Sequence, residues 1–466
     1  MAILLAALFI ALPLDALGRV VGGSLVTPAD VIAVAIALIT PVQLASGRYR
    51  IRMKLDNPVM IFAGFTLVGV ASIVLSRDAS RIVAKGFVQV GGISIMLLTC
   101  VALANEVSRR PVLFAALVRL CAMMLAIVAA IGIAQFICAN VFGHSEFLNF
   151  AFLNRWSGGN VWYNRGALDG IVRANSIMQE PSALGMVLGA VAGVALLRLG
   201  TRGGNYRAAV ARMIPAPIAF AILAGFVVTV SLIDLVLLAT IAISLWIVSR
   251  QIGVGAVLGL SVGGVLIGGA SYIAIASTLP EMSAKLSAMD AVTSGDIQVK
   301  RAEDLSAIAL AVNVAVMRAN LARDPILGAG LGAHPVAYDR ENPGLGRLPA
   351  DIVSIGMNKE DAASLLVRLL SESGILGAAV FLTGWILAVM RARRYILARI
   401  DSAGGVDAFS ALAVGVTASM VGVGIACIAR APQYYAPWFW LPMALTAAVP
   451  QLLMSVEREA HRTRNA

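Results

Sequence analysis

The sequence predicts an all-α polytopic membrane protein with about twelve transmembrane helices, and three observations lead to this fold class. Of its 466 residues, 59% are hydrophobic and only 13% are charged, with a mean hydropathy of +0.88. Soluble domains are roughly 45–50% apolar and about 25% charged, so one soluble core cannot hide this much apolar surface. The apolar residues also fall into membrane-length runs, and basic residues recur between alternate runs.

The predicted spans follow from the apolar runs, since a helix needs about 20 mostly apolar residues to cross a bilayer. The first run lacks a preceding basic region, so we interpret it as a retained span and not as a cleaved signal. The seventh and eighth runs are divided at "VSLID", and the tenth is predicted to break near Gly374 in "ESG". The runs are 2–18, 27–46, 58–76, 84–104, 119–140, 181–199, 213–230, 233–249, 253–278, 362–390, 408–429 and 435–455.

The positive charges set the predicted orientation. Basic residues gather in alternate loops, and the positive-inside rule makes that side cytoplasmic, with both termini inside. These loops account for the net charge of +11, so we expect no nucleic-acid partner. One outer loop, 76–85, breaks the rule with three basic residues. The basic loops are 48–54, 109–110, 198–212 and 391–399, together with Arg250 and the tail.

Two long connections fall on the outer side, and connections of this length are usually functional. The first is rich in aromatic residues, and the second contains a predicted amphipathic helix over 301–323. The predicted divisions are 1–140 (transmembrane helices 1–5), 141–180 (first extracytoplasmic loop), 181–278 (helices 6–9), 279–361 (large extracytoplasmic loop), 362–455 (helices 10–12) and 456–466 (cytoplasmic tail).

Polar residues precede the sixth run, in "VRANSIMQEPSALGMVLG" (172–189). Pro181 suits the first turn of a helix, and Glu180 would lie at the N-terminus, where the helix dipole favours an acid. For Glu180, a simple helix start and a functional role both stay open. Arg173 lies on the outer side, where basic residues are depleted, and this favours a functional role.

Four segments resemble motifs of the Wzy-type O-antigen and exopolysaccharide polymerases, which form one superfamily with the O-antigen ligases. They stand in the family order and at matching topological positions, and the resemblance implies a GT-C-like membrane fold. The ligases carry His-Asn before the tenth span, whereas this chain has "MNKEDAAS" (357–364), so the resemblance favours a polymerase. The segments are "RANSIMQEPSALG" (173–185), "RANLARDPILGAGLG" (318–332), "DAASLLVRLLSESGILGAAVFL" (361–382) and "RAPQYYAPWFW" (430–440).

The implied reaction transfers a glycan from an undecaprenyl-diphosphate carrier to a sugar hydroxyl of another lipid-linked repeat unit, at the outer face of the inner membrane. Guanidinium groups suit a diphosphate because they form paired hydrogen bonds with its oxygens. Snorkelling toward lipid headgroups is the alternative for each arginine. The candidate diphosphate ligands are Arg173, Arg318, Arg323 and Arg430.

The acceptor hydroxyl calls for a general base within hydrogen-bond reach. Glu372 lies inside the tenth span, where Arg368 four residues earlier is a potential structural partner. Aromatic residues are candidates for stacking on sugars, although an interfacial belt explains them equally well. The candidate bases are Glu180, Glu360, Asp361, Glu372 and His334, and the candidate sugar-binding residues are Trp162, Tyr434 and Tyr435.

We expect no metal and no cofactor, because the histidines are scattered, no Walker sequence is present and the donor is already activated. Membrane lipid and a chain-length regulator protein are the other expected partners. Two alternatives stay open. One is an O-antigen ligase that transfers glycan to lipid A core, and the other is a flippase, for which Asp234 between the seventh and eighth runs is the supporting feature.

The charge asymmetry predicts that segment 279–361 lies on the extracytoplasmic side of the membrane. A reporter that works only in the extracytoplasmic compartment should be active when it is fused after Lys300, and a fusion after Arg250 should be inactive. The reverse pattern would contradict the orientation.

Overall fold

The computed structural model describes residues 1–14, 17–21, 24–51, 57–150, 152, 167–168, 171–178, 180–200, 204–249, 305–341, 358–429 and 434–464. These residues form helices and two small antiparallel hairpins, which confirms the all-α class. The helices are α1 (Ala2–Ala11), α2 (Pro28–Ala45), α3 (Pro58–Val74), α4 (Ala79–Arg109), α5 (Pro111–Asn140), α6 (Pro181–Leu199), α7 (Gly204–Ala211), α8 (Ala216–Val228), α9 (Leu232–Ser249), α10 (Leu305–Arg323), α11 (His334–Glu341), α12 (Leu365–Ala403), α13 (Ala408–Ala429) and α14 (Pro437–Arg464). The strands are β1 (Arg19–Val21), β2 (Ser24–Val26), β3 (Ala167–Leu168) and β4 (Ile171–Val172).

The chain is a multi-pass membrane protein. In the described part, seven helices are long and apolar enough to cross a membrane, namely α2, α4, α5, α6, α12, α13 and α14. The count rises to eight if α7 and α8, which are bent by 105° at their junction, form one broken span. Three shorter apolar helices, α1, α3 and α9, coincide with further predicted runs. The total of twelve stays a prediction, and run 253–278 lies outside the described residues.

The predicted C-terminal end of the first span, at residue 18, is wrong. Helix α1 ends at Ala11 instead of continuing to residue 18, and the β1–β2 hairpin follows it. Pro13 explains the stop, since proline has no N–H group to continue the helical hydrogen bonds. A helix of 10 residues is about 15 Å long, roughly half of the bilayer core.

Other predicted spans are too short, because helices continue through residues that were predicted as loops. Helix α4 begins at Ala79 instead of 84 and α5 at Pro111 instead of 119, while α12 runs to Ala403 through the predicted loop 391–399 and α14 runs to Arg464 through the predicted tail.

Two other boundaries agree with the sequence. Pro181 occupies the first turn of α6 with Glu180 as its N-cap, as predicted. The division at "VSLID" is also confirmed, because α8 ends at Val228 and α9 begins at Leu232. The predicted outer amphipathic helix is present as α10, with Ala309, Val312 and Val316 buried.

Close helix packing rests on small residues. Gly193 of α6 faces Gly415 of α13 so closely that a side chain at Gly193 would meet the Gly415 carbonyl. The Gly193 N–H donates to Ser419 Oγ at 2.9 Å. This arrangement is typical of membrane interiors, where dispersion contacts and interhelical hydrogen bonds hold helices together.

Helix α12 breaks at Gly374, as predicted, with φ 62° and ψ −166°. The segment 325–333, which we call the glycine loop, fills the break. Its Ala329 and Gly330 N–H groups donate to the Ser371 and Glu372 carbonyls, both at 2.9 Å. On the other side, Ile375 N–H donates to Pro325 O at 2.9 Å and Leu376 N–H to Ile326 O at 3.1 Å. The loop therefore satisfies the backbone groups that the break exposes.

The glycine loop also contacts segment 76–85, which was predicted as an outer loop but is helical from Ala79 onward, where α4 begins. Ser76 Oγ donates to Ala329 O at 2.5 Å. Two of the three basic residues of this segment pair with acids of the predicted large extracytoplasmic segment: Arg77 with Asp324 at 3.8 Å and Lys85 with Glu360. Charge pairing thus joins these two segments, which the sequence predicts to lie on the same side of the membrane.

Gly374→Ala and Gly328→Ala should both destabilise the protein strongly. Each glycine has positive φ, and a Cβ on Gly328 would lie 2.6 Å from Gly374 N. Left-handed strain costs about 1–2 kcal/mol, and forced overpacking adds about 1–3 kcal/mol. The measurement is the thermal unfolding midpoint of the purified protein in detergent.

Gly404→Ala is the matched control, because Gly404 has φ 65° but nothing within 4 Å of its Cβ position. Gly404→Ala should lower the stability only by the cost of the left-handed backbone strain. Equal losses in all three variants would contradict the packing role of the glycine loop.

Candidate functional site

Arg368 is the centre of a buried polar cluster just before the break in α12. Its side chain and that of Glu372 are both fully buried, with 3.4 Å between Nε and Oε2. This confirms the pairing suggested by their spacing of four residues. The guanidinium also lies over the Tyr434 ring, 4.6 Å from its centroid. A buried ion pair survives only where geometry and further contacts offset the loss of water.

The cluster gathers several of the sequence-predicted residues. Asp361 and Tyr435 lie close enough to act electrostatically on the Arg368 guanidinium. The Trp440 indole N–H donates to the Tyr434 carbonyl at 2.6 Å and fixes the start of α14 beside the cluster. Residues from two separate motifs, 361–382 and 430–440, therefore meet around one arginine.

His334 belongs to the same cluster, immediately after the glycine loop. Its backbone N–H donates to Glu372 Oε1 at 3.3 Å. Its ring is fully buried, with Nδ1 2.8 Å from Ser371 Oγ and Nε2 2.7 Å from Asn313 Oδ1. Burial, with the charge of Arg368 and then Lys85, lowers the pKa of His334 to about 3.

The hydrogen bonds around His334 determine which ring nitrogen carries the proton. The Asn313 amide N–H₂ donates to Ala309 O at 2.7 Å, so its oxygen faces Nε2 and Nε2 carries the proton. Asn320 Nδ2 donates to Ser371 Oγ at 2.7 Å, which leaves the Ser371 hydroxyl to donate to Nδ1. A neutral imidazole satisfies the whole arrangement, in agreement with its lowered pKa.

Arg340 connects this buried network to the protein surface. It donates to Asn320 Oδ1 at 2.9 Å and pairs with Asp78 at 2.8 Å and Glu341 at 3.0 Å. Glu341 also pairs with the predicted diphosphate ligand Arg323, at 3.0 Å. Arg318, on the same helix as Arg323, is exposed, and no carboxylate of the described residues pairs with it.

Asp361 lies where the cluster approaches the surface, and it is only half-buried. Its Oδ1 accepts from Asn358 Nδ2 and from the Ala363 N–H, both at 3.0 Å. The turn that holds it is strained, since three non-glycine residues around it have positive φ: Asn358 (55°), Ala362 (61°) and Ala363 (59°). Such strain costs energy and concentrates at functional sites.

Arg173 and Glu180 lie at a different place, near the N-terminus of α6. Arg173 is half-buried, and its Nε donates to Thr229 O at 3.1 Å, in the turn between α8 and α9. Glu180 is exposed and accepts from Ser182 Oγ at 3.0 Å. Asp234, at the start of α9, is fully buried against Gly185.

Of the remaining predicted residues, the structure describes Tyr435 and Glu360. Tyr435 packs against Gly92 of α4, with no room for a side chain there. Glu360 is exposed and paired with Lys85. Arg430 and Trp162 lie outside the described residues.

Four residues of the hydrogen-bond network around His334 were not predicted from the sequence: Asn313, Asn320, Arg340 and Ser371. Asn313 and Asn320 are seven residues apart, on the buried face of α10 with Val312 and Val316. Polar residues at a helical spacing on an apolar face are the signal that reveals such a pair. Ser371 and Arg340 gave no comparable signal.

No protein-family model matches the chain, and no curated protein sequence matches it.

The lowered pKa of His334 predicts that stability falls in acid. The unfolded histidine takes up a proton below its ordinary pKa of 6.5, whereas the folded one stays neutral down to about 3. Stability is therefore complete above 6.5 and is lost as the pH falls toward 3. Between about pH 7 and about pH 5, the loss from this group should be about 2 kcal/mol.

His334→Gln should flatten that pH dependence, while His144→Gln, a change at an exposed histidine, should leave it as in the wild type. Thermal unfolding of the three proteins across the pH range measures the difference. Parallel curves for wild type and His334→Gln would show that His334 is not held neutral.

Proposed function

We propose that the chain is a membrane glycosyltransferase of the polymerase type, which moves a glycan from undecaprenyl diphosphate to a hydroxyl of a second lipid-linked repeat unit. The observation that carries this proposal is Asp361, a half-buried carboxylate held in a strained turn beside the buried Arg368–Glu372 pair. The family-like motifs of the sequence supply the reaction class, and this geometry supports a base at the position where one of them begins.

Asp361 acts as the general base in this proposal. It takes the proton of the acceptor hydroxyl as that oxygen attacks the anomeric carbon, and the bond to the lipid diphosphate breaks with its electrons on the leaving oxygen. Arg368 is a positioning residue, since its positive charge attracts the nearby Asp361 carboxylate. A fixed, partly dry carboxylate suits this role better than a solvated one.

Glu372 and His334 also become positioning residues. Both are completely buried, and their polar atoms serve the cluster: Glu372 faces Arg368 and the His334 N–H, and the His334 ring bridges Ser371 and Asn313. They hold the start of α11, directly after the glycine loop, against α12.

The donor diphosphate requires cations on the outer side. Arg318 is the best-suited described residue, because it is exposed and has no carboxylate partner among the described residues. Arg323 is already paired with Glu341, and Arg173 with a backbone carbonyl, so binding would compete with those contacts. In this proposal the site faces the periplasm from the inner membrane, and a chain-length regulator is the expected protein partner.

The test is polymerisation by the purified protein on its lipid-linked repeat unit. A ladder of lengthening products supports a polymerase, a single transfer to lipid A core supports a ligase, and a flippase gives no new glycosidic bond. Polymerisation should survive a chelator and need no ATP.

Asp361→Asn should reduce the rate by about 10²-fold or more, because the amide cannot accept the proton. Asp324→Asn is the matched control, a change at an outer carboxylate whose side chain is 40% exposed and 3.8 Å from Arg77. It should leave the rate nearly unchanged. Full activity of Asp361→Asn in a correctly folded protein would refute Asp361 as the base.

A further inference from the structure

A groove at the surface of the helical bundle lies between the first half of α5 and the corner where α7 meets α8. Its volume is about 370 Å³, and its wall is mostly apolar, with Val112, Ala116 and Leu120 on one side and Met213 on the other. Two arginines, Arg119 and Arg212, complete the lining. The groove shares no residue with the candidate active site.

The arginines are unusual for where they lie. Arg119 is exposed eight residues into α5, a helix that is long and apolar enough to cross the membrane. A charged group in such a helix is costly unless it pairs or reaches the headgroup layer. In the described part of the chain no carboxylate pairs with Arg119 or with Arg212. An anion from outside the chain is therefore the natural partner.

The geometry places both guanidinium groups near the membrane interface. Helix α5 has 30 residues and is about 45 Å long, whereas the bilayer core is about 30 Å thick, so the first turns of α5 extend into the headgroup layer. Arg119 lies about 12 Å along the helix from Pro111, and its side chain can extend back toward that layer. Helix α7 is bent by 105° from α8, so the two helices meet at a sharp corner. Arg212 is exposed at that corner, and its charge favours a position in the headgroup layer. The charge pattern makes this side cytoplasmic.

We propose that this groove binds an anionic phospholipid, with its phosphate between Arg119 and Arg212 and an acyl chain along the α5 wall. Two guanidinium groups match a phosphate in charge and hydrogen-bond geometry. The apolar lining then favours a lipid over a free phosphate, because an inorganic ion leaves that wall exposed. The proposal does not depend on the proposed function.

The test measures lipid retained by the purified full-length protein in native mass spectrometry, with phosphatidylglycerol or phosphatidylcholine added. Wild type should bind phosphatidylglycerol preferentially. The double variant Arg119→Gln/Arg212→Gln should bind it at least about tenfold more weakly, since each lost charge-assisted contact is worth about a factor of ten. Arg207→Gln, a change at an exposed arginine of α7 outside the groove, should bind like wild type.

Ala116→Trp provides an independent variant that keeps both charges. Ala116 is exposed on the groove wall, so a tryptophan there fills the acyl-chain path. This variant should also lose phosphatidylglycerol by about tenfold. Equal binding by wild type and the double variant would overturn the proposal, as would an equal loss in Arg207→Gln. Displacement of the lipid by millimolar inorganic phosphate would show a phosphate site instead.

Discussion

The interaction on which this structure depends is the pairing of the glycine loop with the broken helix α12. A helix break inside a membrane protein exposes backbone N–H and C=O groups, and these have no water to bind in a lipid environment. The glycine loop supplies four partners, two on each side of Gly374. Only glycine at 328 and 374 lets the two backbones approach this closely with positive φ. The loop thus has a fixed position relative to α12.

That position determines the polar cluster. Because the loop continues directly into α11, it sets the His334 ring between Ser371 of α12 and Asn313 of α10. The same break leaves the Glu372 side chain facing both the His334 N–H and Arg368. A buried network of this kind adds little stability compared with an apolar core, but each member requires all the others. This mutual requirement gives the site one arrangement.

Charged residues at the surface are connected to the same buried network. Segment 76–85 contacts the glycine loop through Ser76, and its Asp78 pairs with Arg340, which reaches Asn320 in the buried network. The continuous chain of contacts joins exposed ion pairs to a buried histidine. Such a rigid support is what a carboxylate at Asp361 needs if it is to act as a base at a membrane surface.

The sequence by itself determined most of the helices, the start of α6 at Pro181 and the break at Gly374. These features are local, since they depend on apolar run length, on proline and on glycine. It also identified the Arg368–Glu372 pair, whose spacing of four residues is fixed by one helix. Only the tertiary structure decided that Asn313, His334 and Ser371 meet, and that Asp78 pairs with Arg340 across 262 positions of sequence. Contacts between distant segments depend on how the helices pack, and a membrane-spanning pattern determines where each helix lies along the chain but not which helices are neighbours.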